Sequence, residues 1–79
     1  MGIQLATMNL IQEKAKSKAD GCYRFRGVAF RVRNNVVTHL ASFGEIYEFS
    51  YGFLVRTGTY EFFGSGTDER VQKILRGIK

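Results

Sequence analysis

Cys22 and His39 are the two side chains in this sequence that could form a nucleophile and its base. A thiol becomes an effective nucleophile when an imidazole takes its proton and a third group orients that imidazole. The chain has one cysteine, one histidine and two aspartates, few titratable groups for hydrolytic or metal chemistry. It also lacks a P-loop and a dinucleotide-binding glycine pattern. We therefore expect no enzyme, no catalytic residue, no metal and no cofactor, with Cys22 as a buried thiol.

Arginines provide the other candidate chemistry, in the stretch YRFRGVAFRVRNN at residues 23–35. Successive strand residues point to opposite faces of a sheet. From residue 28 onwards the large apolar residues occupy every second position, the even-numbered ones, so they share one parity and one face. That parity changes at Gly27, where we expect a bulge or a bend. The residues predicted on the outer, solvent-facing side are Arg24, Arg26, Arg31 and Arg33.

Guanidinium groups bind phosphate and carboxylate in bidentate geometry and stack on rings, which makes this outer face a candidate binding surface. Arg56 extends the basic set, and two tyrosines could stack on bases. An ordinary solvated strand face has the same appearance, and the sequence leaves both interpretations open. The candidate nucleic-acid or partner-binding residues are Arg24, Arg26, Arg31, Arg33, Arg56, Tyr47 and Tyr51.

Composition limits the class of protein and the kind of partner. The chain has 79 residues, 44% of them hydrophobic, so we expect a single domain over residues 1–79 with a packed core. Its net charge of +5 favours an acidic macromolecule as partner. The first twelve residues lack a basic start and a long apolar run. We expect no signal peptide, no membrane span and a cytoplasmic protein, in the host cytoplasm if a virus encodes it.

Helical spacing of apolar residues predicts one helix at each end of the chain. The first covers residues 4–19, with a stripe that includes Ala15 and Ala19 and a stop at Gly21. The second follows Gly-Ser-Gly, with Ser65 or Thr67 as its N-cap. Its apolar face is predicted to contain Val71, Ile74, Leu75 and Ile78.

Strands are predicted between the helices, arranged as two hairpins with a strand joining them. Asn34 and Asn35 suit a two-residue turn with positive φ, and this register places Phe30 opposite His39. A second turn is expected at Thr57 and Gly58. The fold class is α+β: a single small domain with an N-terminal helix, an antiparallel sheet of four or five strands and a C-terminal helix, both helices packing on one face. A small SH3-like or Sm-like barrel with flanking helices is the alternative. The core face of the first hairpin is expected to hold Val28, Phe30, Val32, Val37 and Phe43.

Three functional hypotheses follow from these patterns. The first is a small basic non-catalytic protein that associates with nucleic acid, or a nucleic-acid-processing complex, through its Arg and aromatic β-surface. The alternative is a modulator or inhibitor that docks on a larger host protein, of the kind that phages encode. A homodimer is the third, because Leu54 and Phe63 are predicted to leave an apolar patch on the outer face of the second hairpin.

Overall fold

The computed structural model describes residues 5–50, 52–61 and 69–78, and it shows two helices and one sheet. The strands are antiparallel and lie in the order in which they occur in the chain. This confirms the predicted α+β fold, with five strands. In the described residues β1 and β5 do not pair, so the sheet is open and not closed into a barrel. The elements are α1 (Leu5–Ala15), β1 (Gly21–Phe25), β2 (Val28–Arg33), β3 (Val36–Ser42), β4 (Glu45–Ser50), β5 (Phe53–Thr59) and α2 (Glu69–Gly77).

Three two-residue turns connect β1 to β4, and all six turn residues have positive φ values between 50° and 83°. Such turns match the right-handed twist of the strands that they join. The turn predicted at Asn34 and Asn35 is confirmed. Gly27 forms a turn with Arg26, which explains the parity change. Phe43 forms a turn with Gly44 and is 66% exposed, so its predicted place in the core is wrong.

A bulge in β3 changes the predicted register of the β2–β3 hairpin. Next to the turn, Val32 faces Val37 as expected, but the register then shifts by one residue. Phe30 consequently faces Leu40, and the prediction that it faces His39 is wrong. The extra residue of the bulge is Thr38. The shift places Leu40 beside Phe30 in the core and moves His39 to the other face of the sheet.

The second predicted hairpin is absent, because β5 continues through the residues expected to form its turn. Gly58 lies within β5 and faces Ile46 of β4. The chain reverses earlier, before Phe53, where Gly52 has a φ of 82°. β5 therefore pairs with β4 over its whole length and forms the second edge of the sheet.

The two helices pack on opposite faces of the sheet, which corrects the prediction that they share one face. On the first face, here named the α1 face, Met8 and Ile11 of α1 pack with Phe30 in the larger core cluster. On the second, the α2 face, Val71 and Leu75 of α2 pack in a smaller cluster. The strand residues of that smaller cluster are Ala29, Ala41 and Ile46. Each face of β2 and β3 is thus covered by a helix, and both strands are buried on both sides.

The end of α1 and the apolar face of α2 differ from the prediction. α1 ends at Ala15, and Ala19 lies outside it. The side chain of Asn35 donates hydrogen bonds to the carbonyls of Lys16 and Lys18, at 3.1 and 3.0 Å, which satisfies groups left unpaired after the helix ends. In α2, Ile74 is 38% exposed, so the predicted apolar face is too wide. The predicted caps Ser65 and Thr67 lie outside the described residues.

Candidate nucleic-acid interface

The strand order separates positive from negative charge across the domain. Residues 14–33 contain seven lysines and arginines and one acidic residue, Asp20. Residues 34–61 contain one arginine and three glutamates. Because β1 and β2 lie at one end of the sheet and β4 and β5 at the other, this difference along the chain becomes a difference in space. The edge formed by β1 is strongly basic.

Lys14, in the last turn of α1, and Lys18, three residues after the helix, lie above the aromatic rings of β1. Lys18 Nζ is 4.4 Å from the centroid of the Tyr23 ring, and Lys14 Nζ is 4.6 Å from that of Phe25. The guanidinium of Arg26 contacts the same Phe25 ring at 5.1 Å. Cation–π contacts at these distances hold a cation over a ring without an acidic counterion. They place a row of three positive charges along the edge strand, on its α1 face.

Further arginines lie on the α2 face of the same edge, where Arg24 and Arg33 are both exposed. Arg33 acts electrostatically on Cys22 of β1, as does Arg76 of α2. Positive charge is therefore present on both sides of β1. We name the following set the β1 basic edge: Lys14, Lys18, Arg24, Arg26 and Arg33.

Arg31 is not on the surface, so the prediction that its side chain faces solvent is wrong. Its parity is as predicted, opposite to Phe30, but α2 covers that face and leaves Arg31 only 7% exposed. Its Nε donates a hydrogen bond to Thr38 Oγ1 at 2.9 Å, and its Nη1 donates to the carbonyl oxygens of Leu75, at 3.3 Å, and Ile78. Carbonyls at the end of a helix lack helical partners and carry the negative end of its dipole. Arg31 therefore caps the C-terminus of α2.

Two of the remaining predicted binding residues, Tyr47 and Arg56, are not brought to the β1 basic edge. Tyr47 is buried in the core of the α1 face and donates a hydrogen bond to Glu45, so it cannot stack on a base. That hydrogen bond and burial both raise the pKa of Tyr47. Arg56 is exposed but lies on β5, at the opposite edge of the sheet. Tyr51 lies outside the described residues.

Cys22 and His39 lie in one row across the α2 face, but Arg31 stands between them. Cys22 faces Arg31, and Arg31 faces His39. Two strand spacings, roughly 10 Å, separate the backbones of the cysteine and the histidine. Burial raises the pKa of the Cys22 thiol, against the opposing effect of nearby arginines. The thiol and the imidazole are thus not placed as a nucleophile and its base. Within the described ranges, no three His, Cys, Asp or Glu side chains are grouped to hold a metal ion.

His39 is expected to make the folded domain less stable in mild acid. Burial lowers its pKa below the ordinary 6.5, and Arg31 lowers it further, against the opposing effect of Glu48. Between the lowered pKa and 6.5 the unfolded chain binds the proton and the folded chain does not. The free energy of unfolding should therefore be constant above about pH 6.5 and decrease as the pH falls below it.

Urea unfolding of the wild type and of His39→Gln between about pH 5 and 8 measures this effect. The wild type should lose stability below about pH 6.5 and the variant should lose much less. A wild-type stability that increases on acidification over this interval contradicts the assigned direction of the pKa shift.

Two features of the interface could not be found by parity alone. The separation of charge is visible in the sequence as a basic segment before residue 34, but it has meaning only once the strand order is known. The contribution of Lys14 and Lys18 was missed because lysines in the last turn of a helix are also expected from the helix dipole.

No helix in the described part of the chain is long and apolar enough to cross a membrane. Comparison of the chain with protein-family models, curated proteins and solved structures gives no match.

Proposed function

We propose that this chain is a non-catalytic protein that binds nucleic acid through the β1 basic edge, without sequence preference. The observation that supports the proposal is the concentration of exposed and half-buried cations around one edge strand, with the glutamates of β4 at a distance from it. Duplex DNA carries about one negative charge per 1.7 Å of its axis. β1 is five residues long, or roughly 17 Å, so a duplex along it presents about ten phosphate charges.

Contacts with phosphates explain this surface better than contacts with bases. The faces of Phe25 and Tyr23 are covered by Lys14 and Lys18, and the Tyr23 hydroxyl donates a hydrogen bond to the carbonyl of Ala19 at 2.8 Å. These rings are therefore engaged within the protein and are not open platforms for stacking. Cations arranged along a backbone give affinity and little sequence information. The expected ligand is consequently any duplex or single strand with a regular phosphate backbone.

Asp20 and Glu13, the acidic residues within and next to the basic segment of residues 14–33, are each engaged by another group. The Asp20 carboxylate accepts a hydrogen bond from the backbone nitrogen of Asn34 at 3.0 Å, so it serves the structure of the β2–β3 turn. Glu13 forms an ion pair with Lys16, with 3.3 Å between nitrogen and oxygen. Residues 14–33 contain seven cations and only one acidic residue, so this side of the domain has a net positive charge that attracts a polyanion.

Arg26→Glu should weaken the binding of duplex DNA about tenfold, whereas Arg56→Glu should have little effect. The two substitutions change the net charge equally and both sites are exposed, but Arg26 lies next to β1 and Arg56 on β5. Fluorescence anisotropy with labelled DNA of mixed sequence measures the difference. With about five phosphate contacts, the wild type should lose affinity with salt at a slope of roughly −4 to −5.

Arg26→Glu should reduce that slope by about 1. The proposal is rejected if the wild type shows no binding at tens of micromolar in low salt, or if Arg56→Glu weakens binding as much as Arg26→Glu does. In the latter case net charge, and not the β1 basic edge, determines the affinity.

A protein partner is the second candidate, because β1 is a sheet edge and an acidic strand could pair with it. Such a partner would make this chain a modulator or inhibitor of a larger protein. Capture from lysate with and without nuclease separates the candidates. A partner that is retained after nuclease treatment and lost in Arg26→Glu supports this second function, and loss of all captured material on nuclease treatment supports the first.

A further inference from the structure

Among the described residues, the outer side of β5 is the other edge of the sheet, and its composition differs from that of β1. Beyond β4, no strand in the described part of the chain pairs with it. Phe53 is 72% exposed and Val55 is 49% exposed. Natural edge strands are protected from pairing by charged side chains, proline, bulges or short length. β1 has this protection in its cations, whereas residues 53–55 of β5 are all apolar.

We propose that β5 pairs with β5 of a second copy of this chain, antiparallel and about a two-fold axis at Leu54. In this register Phe53 faces Val55 of the second copy, and Leu54 faces its own equivalent. The irregularity in the β4–β5 pairing falls between Ile46 and Tyr47, beyond these three residues. The segment that pairs is therefore the regular part of the strand.

The register matches apolar side chains with apolar side chains on both faces of the sheet. Directly opposite residues of antiparallel strands point to the same face, with their Cβ atoms about 4.5–5.5 Å apart. Phe53 and Val55 of both copies would form one cluster on the α2 face, beyond the area that α2 covers. Leu54, which packs at the margin of the core on the α1 face, would meet Leu54 of the second copy there.

Electrostatics favours this pairing over the other two ways of joining edges. Glu48 faces Val55 within the chain, and the two Glu48 carboxylates would be roughly 15 Å apart, beyond the Debye length of about 8–10 Å. The two β1 edges would lie at opposite ends of a ten-stranded sheet, roughly 40 Å apart. Pairing β1 with β1 would instead bring the cations of two copies together. Pairing β1 with β5 would not close and would give open chains.

Sedimentation equilibrium without nucleic acid, from about 1 to 500 μM, tests the proposal with two matched variants. The wild type should show a monomer–dimer equilibrium. Val55→Lys should raise the dimer dissociation constant at least about tenfold, because it places a cation on the paired edge. Val36→Lys should leave the constant unchanged, since Val36 is 57% exposed but lies beside the β2–β3 turn. A wild type that is monomeric throughout, or a dimer that Val55→Lys does not weaken, overturns the proposal.

Disulfide cross-linking tests the register itself. In a Cys22→Ser background, Leu54→Cys should form a covalent dimer under mild oxidation, because the two residues 54 face each other across the axis. Thr59→Cys should not, since residue 59 lies five residues from the axis, which places the two copies of it roughly 33 Å apart along the strands. Equal cross-linking of the two variants contradicts the register. Circular dichroism confirms that each variant is folded, and failure of this test leaves the proposed nucleic-acid binding unaffected because no nucleic acid is present.

Discussion

Arg31→Glu is expected to unfold the domain, or to detach α2 from the sheet, at ordinary temperature. The variant loses the hydrogen bonds that the buried guanidinium donates to the carbonyls of Leu75 and Ile78. Hydrogen bonds from charged groups contribute about 1.5–3 kcal/mol each, and small domains are stable by only about 5–15 kcal/mol. The new carboxylate would also be buried against the negative end of the α2 dipole, where it is repelled. Urea unfolding followed by circular dichroism measures the loss.

Arg33→Glu is the matched control for Arg31→Glu. It makes the same change of charge two residues further along β2, on the same face, but Arg33 is exposed. Its effect on the free energy of unfolding should stay within about 0.5 kcal/mol. Equal stability of the two variants would mean that α2 does not cover Arg31. The two arginines look alike in the sequence, so this comparison tests the position of α2 directly.

Phe30→Ala is the second substitution with a large expected effect, at about 3–5 kcal/mol of lost stability. Phe30 has no exposed surface and lies in the core of the α1 face. Its ring centroid is 5.9 Å from that of Tyr23, so the substitution removes an aromatic contact in addition to leaving a cavity. Thermal unfolding and urea titration should both show a domain that is mostly unfolded or much less stable.

Phe43→Ala is the control for Phe30→Ala, because the sequence alone predicts both phenylalanines in the same core. Phe43 is 66% exposed in the β3–β4 turn and should change the free energy of unfolding by less than about 1 kcal/mol. A Phe43→Ala variant as unstable as Phe30→Ala would restore the predicted register and contradict the bulge in β3. These measurements are made at low micromolar concentration, where self-association does not contribute to stability.

Local patterns predicted those parts of the fold that depend on neighbours in the chain. The Asn34–Asn35 turn follows from the tolerance of asparagine for positive φ, and the alternation from Val28 to Val32 follows from the pleat of a strand. Both helices were found from their apolar spacing. The limits of α1 were less certain, since Asn35 binds the carbonyls that follow it and no local pattern predicts such a contact. In the second half of the chain, Thr57 and Gly58 resemble a turn but belong to β5, because pairing with β4 outweighs the local preference of glycine.

The candidate site was predicted in part. Arg24, Arg26 and Arg33 are exposed, as predicted, but Arg26 is exposed because it lies in the β1–β2 turn and not because of strand parity. Arg31 has the predicted parity and the opposite environment, because parity states which face a residue is on and not what covers that face. The β1 basic edge also includes Lys14 and Lys18 of the α1 segment, which lie near β1 only in the folded chain.

By itself the sequence of this protein determined the fold class, the charge and which residues of β2 share a face. It could do so because turn propensity, strand alternation and helical spacing act over a few residues. Only the tertiary structure decided that the helices cover opposite faces, that Arg31 caps α2, and that Arg56 stands at the opposite edge from the β1 basic edge. The physical reason is that burial and proximity arise from contacts between distant segments. A face of a strand is exposed to solvent or buried according to what packs on it, and no local pattern contains that information.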